Sequence, residues 1–188
     1  MEELFKIKTP KRVQVTISSA AMRATFVNCD TDYIKENCKG SCCFNSKGIL
    51  NVTIAPREEK YIKSLGMEIK NGLLQPKQGE KRCPFQRQNG LCKIHKRKPI
   101  GCAISPFNLT VNSVVIVRYR NLCMNCHKNG TIPAYRVFRA SLDAMFGKKE
   151  QRRICDHLDN DGHDIVAGMF GDVWEDLMLN RKTRTKKI

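Results

Sequence analysis

Ten cysteines punctuate this 188-residue chain, and their spacing limits what it can fold into more than any other feature. They run as Cys38-x3-Cys42-Cys43, then Cys83-Pro84, Cys92, Cys102 and Cys123-x2-Cys126, with Cys29 and Cys155 standing apart. Four thiolates converging from separated loops suit tetrahedral zinc or an iron–sulfur cluster. A secreted disulfide framework also uses many cysteines. Against it, Met1 to Met22 interleaves lysines with polar residues and holds no apolar run followed by a small-residue cleavage site. No stretch approaches the ~20 apolar residues that span a bilayer. A reducing, cytoplasmic setting with metal-held thiolates is therefore the expectation.

Charge adds a second constraint. The chain carries 34 basic and 18 acidic side chains, a formal +16, and a four-thiolate metal site would subtract only about 2 from it. The excess is spread over Lys6 to Arg12, Lys77 to Arg87, Lys93 to Lys98, Arg118 to Arg120 and Lys148 to Arg153. Such a surface favours polyanions, nucleic acid before membrane, because no strongly apolar basic helix accompanies it. The residues expected to meet phosphate flank the cysteines: Lys81, Arg82, Arg87, Lys93, Lys96, Arg97 and Lys98. The alternative is a solvated basic face that serves solubility.

Apolar residues make up 41% of the chain, enough for a core, and the length suits one domain. Residues 1–180 are taken as that domain and 181–188 as a frayed basic tail. Arg12 to Ile17 alternates with period two, as a half-buried strand does. Cys29 to Phe44 is too broken by Lys39-Gly40-Ser41 for a long regular helix. Ile49 to Ile54 is a second strand, ended by Pro56. Arg57 to Leu65 reads as a short helix, with Pro56 near its start, Glu58 and Glu59 at the positive end of its dipole and Gly66 as its stop.

From Asn71 to Pro106, glycines and prolines erase any period, so irregular backbone carries Cys83, Cys92 and Cys102. Val111 to Arg120 is the strongest strand candidate. Helices are expected over Pro133 to Phe146 and Asp164 to Leu179, where apolar residues recur at helical spacing. The expected fold is α+β: a small, irregular, metal-organised domain with short strands and C-terminal helices.

The segments Cys38-Lys-Gly-Ser-Cys42-Cys43, Arg82-Cys83-Pro84-Phe85, Gly90-Leu-Cys92-Lys-Ile94-His95-Lys-Arg-Lys98-Pro99-Ile-Gly-Cys102 and Ser105-Pro106-Phe107 resemble the YkgJ-type cysteine-cluster proteins, described as zinc- or iron-chelating domains. The likeness spans about residues 38–107. It departs from the family pattern at His95, where Tyr is common, at Lys98, where Arg precedes the proline, and at Ala103, where Arg often follows the cysteine. The resemblance implies a chelating domain and no settled reaction. Some larger members look like protein lysine N-methylases, but this chain has no glycine-rich cofactor fingerprint in a strand–helix context.

Cys38, Cys42, Cys43, Cys83, Cys92, Cys102, Cys123 and Cys126 are the metal-ligand candidates. Adjacent side chains of an extended backbone point to opposite faces, so Cys42 and Cys43 share one ion only across a turn. One allocation joins Cys38 and Cys42 to two of Cys83, Cys92 and Cys102; the other places Cys43 in that site. Cys123 and Cys126 complete the first site or begin a second, with His127 an optional nitrogen ligand. Cys123-Met-Asn-Cys126-His127 also matches the haem-attachment string, which belongs to exported proteins. Cys29 and Cys155, without near partners, read as buried thiols. His95 is expected to be exposed, and Asp156 to Asp164, with His157 and His163, to form a polar turn capping the last helix.

Three classes of function follow. One is a metal- or cluster-binding module with a nucleic-acid-binding surface. The others are a redox or macromolecule-modifying enzyme using an iron–sulfur cluster, and a metal carrier. An iron–sulfur cluster is preferred over zinc as the bound group.

Overall fold

The alternation in Arg12 to Ile17 does what period-two patterning requires of a half-buried strand: Val15 and Ile17 are buried while Arg12 and Gln14 are exposed. The computed structural model describes residues 11–43, 52–77, 80, 82–160 and 162–185, with side chains of the last helix described as far as Met178. In chain order the strands are β1 (Arg12–Ile17), β2 (Thr25–Phe26), β3 (Ile69–Lys70), β4 (Leu73–Leu74), β5 (Phe107–Leu109), β6 (Val114–Val117), β7 (Ile132–Pro133) and β8 (Ile165–Phe170). The first five α-helices are α1 (Ser19–Met22), α2 (Thr31–Tyr33), α3 (Pro56–Ser64), α4 (Ile100–Ala103) and α5 (Tyr119–Leu122). They are followed by α6 (Asn125–Lys128), α7 (Ala134–Val137), α8 (Arg139–Phe146), α9 (Lys148–Asn160) and α10 (Gly171–Thr185). The fold is α+β.

A four-stranded sheet, ordered β5-β6-β1-β8, carries the larger core. β1 runs parallel to β6 and antiparallel to β8, pairing residue by residue from Arg12–Phe170 to Ile17–Ile165. Its buried face packs Val15, Ile17, Leu109, Val115, Ala167 and Met169 against Leu142, Met145, Phe146, Ile154 and Leu158. A second, smaller core holds five buried residues, Ile54, Ile62, Leu74, Cys83 and Phe85. It lies among α3, the β3–β4 hairpin and the cysteine-bearing loops.

Several expected elements differ from those found. Ile165 to Phe170 is a strand, not the first half of a helix. Its apolar residues at 165, 167 and 169 fit a period of two as well as 165 and 169 fit a helix, and a full ladder with β1 decides between them. The helix begins at Gly171 instead, and it continues to Thr185, into the segment expected to be a frayed tail. Asp164 therefore caps no final helix. Its carboxylate accepts from the Ser19 backbone N–H (2.8 Å) and hydroxyl (3.0 Å), fixing the start of α1.

Lys148–Asn160, where Lys148 to Arg153 is expected as a charge run and Asp156 onward as a polar turn, is a 13-residue helix burying Ile154, Cys155 and Leu158. The Val111 to Arg120 strand shrinks to β6, because Ser113 takes a left-handed turn (φ 57°) and Tyr119 opens α5. Pro133 to Phe146 is interrupted at Phe138 (φ −108°, ψ 38°). Of Ile49 to Ile54, residues 49–51 lie outside the described ones, and Thr53 makes only an isolated bridge to Leu73. The helix expected at Arg57 to Leu65 is α3, and Gly66 after it has φ +74°.

The loops at 38–43 and 83–92 meet where side chains are absent. Gly90 has φ +85°, and a Cβ there would lie 2.7 Å from Lys39 Cα. Gln86 Nε2 donates to the carbonyls of Lys39 (2.8 Å) and Gly40 (2.9 Å) across the same junction. Gly66 has a similar φ with nothing within 4 Å of an added Cβ. Gly66→Ala should therefore cost only the left-handed strain, about 1–2 kcal/mol. Gly90→Ala should cost clearly more and separate the two loops. Denaturant unfolding of both variants checks this, and equal losses would contradict the close approach.

Candidate metal centre

The cysteines reach one region through turns, not regular elements. After the helical turn at Ile34–Cys38, Lys39 and Gly40 adopt left-handed conformations (φ 47° and 64°), and Ser41–Cys43 forms a short 3-10 turn. The Cys43 carbonyl accepts from Cys83 N–H at 3.0 Å. A tight reversal follows, in which Gly90 N–H donates to Arg87 O (2.9 Å) and Arg87 N–H to Leu91 O (2.8 Å). It sets Cys92 opposite Gln86, itself bonded to Cys83 O at 2.9 Å. Cys43, Cys83 and Cys92 consequently share the smaller apolar cluster.

Cys102 arrives on α4, which is positioned by two charged side chains. Glu58 accepts from Ala55 N–H (2.9 Å) and Ile100 N–H (2.8 Å), joining the starts of α3 and α4. Arg118 donates to Phe107 O and Gly101 O, both at 3.0 Å. Burial, with the neighbouring Cys83 and Cys92 thiolates, pushes the Cys102 thiol up to about 12. Burial likewise raises Cys83, opposed in part by the N–H groups of Phe85 and Gln86. Cys43 is raised by its hydrogen bond to Cys42, by burial and by the charges of Cys42, Cys83 and Cys102. Cys42, Cys43, Cys83, Cys92 and Cys102 thus influence one another electrostatically.

Cys29 and Cys126 are also linked electrostatically to Cys42 and to Cys38. Val27 N–H donates to Cys126 O at 2.8 Å, and β2 pairs with β7, so α6 is strapped against the segment leading to Cys29. Although Cys29 is exposed as a residue, desolvation at its thiol, then Cys42, Cys38 and Cys126, raise it to about 12. Cys126 is raised by desolvation, then by Cys38 and Cys42. The Tyr33 hydroxyl is raised by desolvation and then by Cys126, Cys38 and Cys29. Cys42 moves the other way, down to about 6. The Cys43 thiol donates to it, and this together with Arg120 and Lys98 outweighs its desolvation. Arg120 Nη2 also donates to Cys42 O at 3.1 Å.

Of the eight expected ligands, seven take part in these interactions. Cys123 lies exposed at the end of α5. Cys29, expected to be a buried thiol, is exposed and stands beside Cys38, Cys42 and Cys126. Its eight-residue separation from Cys38 hides this in the sequence, and only the β2–β7 pairing reveals it. Cys155 is buried in the main core, accepting from Gln151 Nε2 at 3.0 Å. His127 Nδ1 sits 2.7 Å from Thr25 O, so that nitrogen carries the hydrogen and donates, and the ring packs on Phe26. His95 is exposed, as expected.

As they stand, no three His, Cys, Asp or Glu side chains among the described residues are gathered tightly enough to hold an ion. The donor chemistry nevertheless fits a metal, since sulfur donors in fours are what zinc and four-iron clusters take. The electrostatics fit too, because mutually repelling thiolates are relieved by a cation and bind it only when deprotonated. A family model named CxxCxxCC, "Putative zinc- or iron-chelating domain", matches residues 29–127. No curated protein and no solved structure matches the chain significantly.

The Glu58 bridge positions Cys102 through two backbone N–H groups. Glu58→Ala should destabilise the protein by about 2–6 kcal/mol, since each of the two donors left without a partner costs about 1–3. Glu59→Ala, which loses only the exposed pair to Lys63 (2.8 Å), should cost no more than about 1. Paired denaturation curves measure the difference, and similar losses would contradict a bridging role.

Proposed function

Because that match covers more than half of the chain, the protein belongs to the CxxCxxCC zinc- or iron-chelating family. From this premise we propose that it is a cysteine-cluster protein holding an iron–sulfur cluster, with zinc as the alternative group, whose basic surface contacts nucleic acid. What supports the metal reading is the family match over residues 29–127, together with the backbone contacts that join the loops carrying Cys43, Cys83 and Cys92. A cluster would supply one-electron chemistry, whereas zinc would supply only cross-linking. The chain's own part is the scaffold. Glu58 and Arg118 seat α4, Gln86 joins the two loops, and the cations of Arg118, Arg120 and Lys98 lie close enough to favour thiolate at Cys42 or Cys102.

Anaerobic purification followed by iron, sulfide and zinc analysis tests the group. The expected outcome is brown protein with iron and acid-labile sulfide in equal amounts, in multiples of about four. Stoichiometric zinc without sulfide would assign the alternative.

The nucleic-acid reading is supported by where the cations sit. Arg82, Arg87, Lys93, Lys96 and Arg97 are exposed around the cysteine loops, while Lys98 is half-buried beside Cys42 and Cys102. Lys81 lies outside the described residues. Arg97 stacks its guanidinium 4.1 Å from the Tyr61 ring centroid, so it also has a packing role. Binding to short duplex and single-stranded probes should weaken steeply with salt. Neutralising Arg82, Arg87, Lys93 and Lys96 together should flatten the log–log salt slope on duplex by roughly 3 to 4, with metal content unchanged. Absence of binding at low salt, or an unchanged slope, would leave the basic surface as a solvated face.

A further inference from the structure

We propose that the outer edge of β8 is a strand-pairing surface for a second copy of this chain, held closed in the monomer by Glu150 and Arg153 of α9 and by Arg12 of β1.

Among the described residues only β1 pairs with β8, which leaves β8 at an edge of the sheet. Which of its groups face outward follows from β1. Thr16 N–H donates to Ser113 O, on the side of β6. The alternation of an antiparallel ladder then turns the N–H and C=O of its partner Val166 away from β1, and those of Gly168 with them. Left bare, such groups are a template for another strand.

Three side chains occupy them instead. Glu150 Oε1 accepts from Gly168 N–H at 3.0 Å, and Arg153 Nη2 donates to Val166 O at 2.7 Å. Arg12 Nη1 donates to Gly168 O at 2.6 Å and to Phe146 O at 2.8 Å. Arg12 lies flat enough to do this because Gly168 has no side chain; an added Cβ would come within 3.2 Å of Arg12 Cδ. Arg153 also holds Glu150 through two bonds, of 2.8 and 3.0 Å. A half-exposed pair of this kind adds little stability by itself, so its main consequence is the capped edge.

The strand beneath is suited to pairing. Ile165-Val-Ala-Gly-Met-Phe170 holds no charge and no proline, and Val166 is 57% exposed. Such a segment adds strands readily once its edge is open. A second copy is the partner that fits. Two β8 edges related by a two-fold axis run antiparallel and present the same outward donors and acceptors to each other, the self-complementarity that closes a dimer.

The test compares oligomeric states of the full chain by chromatography with light scattering. The protein is kept reduced, so that no cysteine cross-link contributes, and at moderate salt, where repulsion between two basic copies is screened. The wild type should be a monomer, and Glu150→Ala/Arg153→Ala a concentration-dependent dimer. Adding Val166→Pro should return that variant to a monomer, because it removes an outward N–H and leaves the ladder to β1 intact. In the double variant alone, exchange of the Val166 N–H should slow as concentration rises. Circular dichroism should be the same for all three proteins. Arg153→Ala alone, which frees Val166 O while Glu150 stays on Gly168, should dimerise more weakly, and it decides the matter if the double variant fails to fold. A folded variant that stays monomeric, a dimer that survives Val166→Pro, or a wild type that dimerises as readily as the double variant would overturn the proposal.

Discussion

The short turn carrying Cys42 and Cys43 is anchored from several directions, and the cysteine region depends on those anchors. Cys43 O holds the backbone of Cys83, Arg120 holds Cys42 O, and Gly40 lies against Gly90 with no side chain between them. Because the loops on either side contain little regular structure, these contacts do the organising that a sheet does elsewhere in the chain. Among the described residues the smaller core beneath them has five buried members, one of them Cys83 itself. A core that size gains little from burial alone, which is the setting in which small folds rely on a cross-link. Thiolates bound to metal would supply it.

The charge distribution follows from the same arrangement. A four-thiolate metal site would lower the formal +16 by only about 2, so the protein stays strongly basic. Its cations divide by position. Lys98, Arg118 and Arg120 lie near the sulfurs, where they offset thiolate charge. Arg82, Arg87, Lys93 and Lys96 stand exposed on the cysteine-bearing loops. Whatever fixes those loops also fixes the spacing of the outer cations, which links the metal to any polyanion that the surface binds.

Parts of this were legible in the chain of residues. β1 and α3 follow from local patterning, with Pro56 at the start of the helix and Gly66 beyond its end. The α+β class and the irregular backbone around Cys83 to Cys102 also follow. The errors arose where two periods fit the same apolar residues or where a partner lay far away. Ile165 and Met169 suit a helix, but β1 offers a complete strand edge, and tertiary pairing overrides propensity. Cys29 has no local partner, and its neighbour Cys126 is delivered by β7 and α6. Lys148–Asn160 was obscured by its charges, though Ile154, Cys155 and Leu158 sit on one helical face.

The central claim is that metal-held thiolates order the cysteine loops while the four-stranded sheet stands by packing and pairing. Hydrogen exchange of the metal-loaded protein, before and after chelation, measures this most directly. The account predicts that chelation abolishes protection at residues 38–43 and 83–103, with β1 and β8 keeping theirs. Unchanged protection in the cysteine loops after complete metal removal would contradict it.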